Sequence, residues 1–257
     1  MDAGFRTPLL DFFRRGEVAR DIRLLAAQGA LAPRAHEQLG LLMLLVSDQD
    51  PEIASAAEAT LQAIPVDSLA AFLARSDVSS DMRGFFAARG VEPAAVAAVD
   101  ADTPIGDIAA SSQGGESSGE EDEAGAVQRI AAMNVAQRVM LAMKGSREER
   151  AILIRDSNKM VAVAVLSSPK LSESEVESIA KMANVSDEIL RIIANTRAWV
   201  KNYAVTLALA KNPKTPVALS MNMLARLNDK DLRVISTDRN VPDVLRITAR
   251  KKVVNER

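Results

Sequence analysis

The stretch Asn184-Val185-Ser186-Asp187-Glu188-Ile189-Leu190-Arg191-Ile192-Ile193-Ala194 returns, one residue shorter, as Asn240-Val241-Pro242-Asp243-Val244-Leu245-Arg246-Ile247-Thr248-Ala249. A second self-match sets Ala164-Val165-Leu166-Ser167-Ser168-Pro169-Lys170 beside Ala208-Leu209-Ala210-Lys211-Asn212-Pro213-Lys214. Each repeated stretch joins a turn signal to apolar residues at helical spacing. Self-similarity on this scale marks supersecondary units, none of which buries its apolar face alone. The reading this decides is an all-α fold, an α-solenoid of short helical repeats.

Composition agrees. Hydrophobic residues make up 48% of the 257, yet aromatics only 3%, so the core is aliphatic and suits closely packed helices. The chain has no cysteine, which excludes disulfides, thiolate metal sites and cysteine nucleophiles and fits a reducing compartment. Met1-Asp2-Ala3-Gly4-Phe5-Arg6 shows no apolar leader, and no stretch approaches the roughly eighteen apolar residues of a membrane span. The expectation is a cytoplasmic protein without a membrane segment.

Charge is segregated along the chain. Residues 1–90 carry a net −3, residues 91–125 a net −9 without one basic residue, and residues 126–257 a net +10. All ten lysines lie at or beyond Lys144. This predicts an N-terminal helical module over 1–90, an acidic linker over 91–125 and a C-terminal helical-repeat module over 126–257. The run Gly114-Gly115-Glu116-Ser117-Ser118-Gly119-Glu120-Glu121-Asp122-Glu123 lacks a periodic apolar face and reads as disordered. Tethered beside a basic module, it is expected to mask that module from anionic partners.

Caps punctuate both modules. Asp50-Pro51-Glu52 gives an N-cap acid, a first-position proline and a first-turn acid before the stripe Ile53, Ala57, Leu61, Ile64. Helices are also expected near 18–28, 33–46 and 67–75. In the C-terminal module Ser146 with Glu149 and Ser172 with Glu175 fit the capping box, Thr215-Pro216 reads as a cap followed by proline, and Ser186 precedes two acids. The predicted helices run near 126–143, 147–155, 158–167, 173–182, 187–195, 197–211, 216–227, 229–236 and 242–253. Met160 to Leu166 alternates like a strand but reads as a buried helix beside its helix-like partner Tyr203 to Ala210.

The run from Asp156-Ser157-Asn158-Lys159 to Ser168-Pro169-Lys170, with Asn212-Pro213-Lys214-Thr215-Pro216 and Asn240-Val241-Pro242, resembles a family of uncharacterised bacterial α-helical repeat proteins related to the leucine-rich-repeat-variant and HEAT types. The resemblance covers roughly residues 128–255. It implies a right-handed stack of short helices whose exposed face binds a partner, and it brings no activity. Asp48 to Ala57 is similar to the second helix of a HEAT repeat, with Ala54 where such repeats usually carry arginine.

Candidate sites are few. His36, the single histidine, sits in a first helical turn and reads as a surface or cap residue, with no second histidine or cysteine to complete a metal site. No nucleophile motif and no phosphate-cradling glycine loop occurs, so neither enzyme activity nor a cofactor is expected. Trp199 and Tyr203, the only Trp and Tyr, are spaced i, i+4 within a stretch that is five residues longer than its first copy. Trp199 and Tyr203 with Lys201, Lys214, Lys170, Arg191 and Arg246 form the expected partner-binding set. The reading is a non-enzymatic scaffold for a protein partner. The alternative is nucleic-acid binding by the basic module, with lysines and arginines at equivalent repeat positions following a phosphate backbone.

Overall fold

A helix of seven to nine residues cannot satisfy itself. Its first four N–H and last four C=O groups have no intrahelical partner, so most of its backbone must be completed from outside. Eleven of the seventeen helices among the described residues have this length. The computed structural model describes residues 7–31, 34–96 and 123–255, and among them every regular element is an α-helix.

They fall into two compact units. The first holds α1 (Pro8–Arg14), α2 (Arg20–Ala27), α3 (Ala35–Leu45), α4 (Pro51–Ala63), α5 (Val66–Leu73), α6 (Ser80–Ala87), α7 (Glu123–Ala132), α8 (Val135–Lys144), α9 (Arg147–Leu153) and α10 (Lys159–Leu166). The second holds α11 (Glu173–Lys181), α12 (Asp187–Asn195), α13 (Arg197–Val200), α14 (Tyr203–Lys211), α15 (Val217–Leu224), α16 (Asp229–Thr237) and α17 (Asp243–Asn255). The grouping differs from the modules read from charge. Helices α8 and α10 pack on α2 and α1, so the first unit takes in the start of the repeat region. Most of the acidic linker expected over 91–125 lies outside the described residues.

Side chains complete the helix starts. Asp50 accepts the Glu52 N–H at 3.0 Å. Ser146 and Glu149 exchange bonds with each other's backbone N–H at 3.3 and 2.8 Å, as do Ser172 and Glu175 at 3.3 and 3.0 Å. Asparagines, read from sequence as helix-ending turns, serve as N-caps as well. Asn134, Asn158, Asn202 and Asn228 accept from Gln137, Met160, Ala204 and Asp231 respectively. Asn134 forms a capping box with Gln137, which splits the single helix expected over 126–143 into α7 and α8. Asn202 likewise separates α13 from α14, so Trp199 and Tyr203 do not share a helix. Thr215 is not a cap: its hydroxyl is buried without a partner, and the α15 N-cap is Pro216, whose carbonyl accepts the Ser220 N–H at 3.1 Å.

Helix ends are completed by residues far along the chain. Thr60 Oγ1 donates to Ala27 O at 2.6 Å, where Gly29 (φ 77°) closes α2 with Schellman bonds. A Cβ at Gly29 would stand 3.2 Å from the Thr60 methyl. Arg83 reaches Leu73 O at 3.0 Å at the end of α5. Ser168 Oγ donates to Met143 O at 2.8 Å at the end of α8, and Asn212 Nδ2 donates to Ala180 O and Met182 O at 2.8 and 2.9 Å at the end of α11.

The last two bonds define the repeat. Ser168 and Asn212 are paired in the second self-match, and each also accepts the backbone N–H two residues on, from Lys170 and Lys214. Each follows the third helix of a copy, the extra short α13 of the second copy aside, and pins the first: α8 packs on α10, α11 on α14, and α15 on α17. The first self-match proves different, since Asn184–Ala194 opens the second helix of its copy, α12, and Asn240–Ala249 the third, α17. What they share is the residue ahead of the cap, since Ser186 caps with its hydroxyl and Pro242 only with its carbonyl. An apolar residue just before the cap is buried in both, Val185 and Val241, as it is at Val78 and Leu227.

A candidate docking groove on α14

The third helices set the geometry of the candidate site. Their starts align by the N-cap carbonyls: Asn158, Asn202 and Pro242 accept from Ala162, Thr206 and Arg246, four residues on, at 3.3, 3.1 and 3.1 Å. In each helix the third and seventh residues face their own copy and are fully buried: Val161 and Val165, Val205 and Leu209, Leu245 and Ala249. The second, fifth and ninth residues differ. At α10 these are Met160, Val163 and the C-cap Ser167, all buried; in α14 they are Ala204, Leu207 and Lys211, half-buried. In α17 they are Val244, Ile247 and Lys251, exposed.

On α14 this open stripe lines a groove of about 600 Å³. Its apolar lining is Ala183, Ala204, Leu207, Ala208 and Pro213, and charged and polar lining comes from Glu177, Lys181, Lys211, Asp238 and Asn240. Lys181 Nζ is paired with Glu177 Oε1 at 2.5 Å. Asp238 Oδ1 accepts the Asn240 N–H at 3.0 Å. Asn212, buried by its two carbonyl bonds, fixes the end of α14 where the groove closes.

None of the residues expected from sequence lines this groove. Trp199 is half-buried on the short α13. Tyr203 opens α14, its hydroxyl donating to the Asp231 carboxylate and accepting the Asn228 N–H at 3.3 Å. Burial and the Asp231 carboxylate push that phenol above its ordinary value. Lys201 and Lys214 are exposed in the turns at either end of α14. Lys170, in the first unit, stands where Lys214 stands in the next copy, and its ammonium lies 3.4 Å from Lys144 O, a contact the negative end of a helix favours. Arg191 is paired with Asp187 at 3.5 Å and Arg246 with Asp243. These two arginines occupy second and third helices of their copies and are therefore not positional equivalents. Sequence reasoning missed Leu207 and Lys211 as lining residues, although the second self-match contains Lys211.

The first unit holds a different polar cluster. His36 is not a surface residue: it is buried at the first turn of α3 with its ring edge-on to Phe72 at 4.7 Å. Burial lowers its pKa, against the opposing field of Asp77. Glu37 beside it is buried too, and burial raises its carboxyl pKa against a hydrogen bond from Thr7 and the charge of Arg34. Among the described residues no group of three or more acidic or histidine side chains has metal-binding geometry, and no helix is long and apolar enough to cross a membrane. Set against protein-family models, curated proteins and solved structures, the chain matches none.

Proposed function

We propose that the chain is a non-enzymatic scaffold of solenoid-type helical repeats that docks a protein partner in the groove on α14. The observation that carries this reading is the contrast between α10 and α14. Two helices in the same place in their copies bury the same two residues inward, yet one is buried from Met160 to Leu166 and the other keeps an aliphatic stripe open beside lysines and carboxylates. Concave sites lined by apolar residues with a few placed polar groups are where ligands and partner segments bind. The resemblance to leucine-rich-repeat-variant and HEAT-type repeats supports the same reading.

Nucleic-acid binding by the basic region is the less favoured reading, because Arg191 and Arg246, expected at equivalent repeat positions along one side, stand on different helices of their copies. Affinity capture with the full chain, with and without nuclease, separates the two. The expected result is a nuclease-resistant protein retained by the wild type and lost with Leu207→Asp. Material that disappears with nuclease and ignores Leu207→Asp overturns the proposal.

A further inference from the structure

The groove's own chemistry narrows what it holds, on the reading that it docks a protein. Residues two, five and nine of a helix are spaced i, i+3, i+7, which sets them in one straight row. Such a row is complementary to a second helix laid along it, with aliphatic knobs entering between its members. An extended peptide has less to gain, because no sheet edge is present among the described elements to pair its backbone.

The row is aliphatic in its first two places and lysine in the third, and the pattern occurs twice: Ala204, Leu207, Lys211 on α14 and Val244, Ile247, Lys251 on α17. Ile247 and Val244 are 53% and 56% exposed, too open to be core. Of the groove's other charges, Lys181 is paired with Glu177, and Asp238 accepts one backbone N–H in its own turn and keeps its negative charge off the row. Among the described residues Lys211 and Lys251 have no carboxylate within ion-pair distance. On the row itself, along which a second helix would lie, the charge to be matched is positive.

We infer that the groove on α14 binds an acidic amphipathic helix, its aliphatic face over Ala204 and Leu207 and a carboxylate against Lys211. The probe is a synthetic amphipathic peptide of about four turns, with leucines along one face and glutamates flanking them, titrated against the full chain by fluorescence anisotropy. Leu207→Asp is expected to weaken binding by at least tenfold and Lys211→Glu by several-fold. A second peptide with lysine for glutamate is expected to restore affinity for Lys211→Glu. That exchange keeps the test decisive even if Leu207→Asp lowers stability, which circular dichroism reports.

No binding of the glutamate peptide, or no recovery on charge exchange, overturns the inference. So does affinity that falls log-linearly with salt and is matched by a nucleic-acid oligomer, which points to a polyanion site instead. If partner capture still depends on Leu207 while the peptide fails to bind, the docking groove stands and only the acidic helix is wrong.

Discussion

Helices α10 and α14 begin at the same kind of cap, end at the same kind of pinned loop and bury the same two positions, yet beyond its first residue α10 is wholly buried and α14 is not. From Met160 to Leu166 every α10 residue is buried, with α8, α9 and α1 packed around it. On α14 the packing helices leave Ala204, Leu207 and Lys211 half-open. Burial that recurs in both copies holds the fold; burial that differs marks surface released for another use.

The largest expected effect tests that division within one helix. Leu209 is fully buried at a position shared by all three copies. Leu209→Ala removes its contacts and leaves a cavity, a loss of about 3 kcal/mol in urea denaturation. Leu207→Ala, two residues away on the open row, should cost about half as much, since part of its side chain already faces solvent and less of a cavity is left. Equal losses at the two positions would remove the distinction on which the groove reading rests.

The two loop staples come next. Asn212→Ala deprives the Ala180 and Met182 carbonyls of their donor and the Lys214 N–H of its acceptor. Leaving buried groups unpaired costs about 1 to 3 kcal/mol, and the groove should lose affinity too, because Asn212 fixes its end. Ser168→Ala breaks one bond to Met143 O and one weak bond from Lys170, for about 1 kcal/mol. Thermal midpoints measured side by side order the two staples; a larger shift for Ser168→Ala contradicts the bond geometry.

These staples show what the sequence discloses and what it withholds. Caps are local, so Asp50, Ser146, Ser172 and Ser186 placed helix starts within a residue or two. Asn134 hid inside a continuous apolar period without proline or glycine to mark the break. The match Ser168/Asn212 was legible, but its cause, a bond to a helix end 25 to 32 residues earlier, is tertiary. Asn184 and Asn240 misled for a related reason: every helix here needs the same start, so cap segments resemble one another wherever they stand. His36 looked exposed because a first helical turn usually is; the packing of α5's Phe72 against it lies outside local pattern. The groove itself was unreadable, since Leu207 and Val163 differ by neighbours rather than by type.

Two buried groups of the first unit respond to pH with opposite signs. Glu37 keeps its proton more tightly when folded. Between the ordinary carboxyl value and the raised one, the native state holds a proton that the unfolded chain has released, so stability falls as pH rises through that interval. His36 has the opposite sign. Its folded value is lowered, so from there up to the ordinary histidine value the unfolded chain binds the extra proton, and stability is lost as pH falls. Denaturation series for Glu37→Gln and His36→Phe should flatten one limb each. A wild-type profile unchanged by both places the pH dependence elsewhere.

The smallest effects belong to the surface arginines. Arg191 pairs with Asp187 one turn earlier, with its side chain half exposed, and such pairs contribute about 0.3 to 0.5 kcal/mol, less at high salt. Arg191→Ala should therefore leave the thermal midpoint almost unmoved. Its value lies in binding: Arg191 on α12 lies outside the groove lining. If the partner sits over Ala204 and Leu207, Arg191→Ala changes affinity by less than about twofold, whereas a phosphate backbone following the basic residues loses one contact and its salt slope falls by about one. One substitution that barely affects folding thus separates a groove on one helix from a basic surface spread over many.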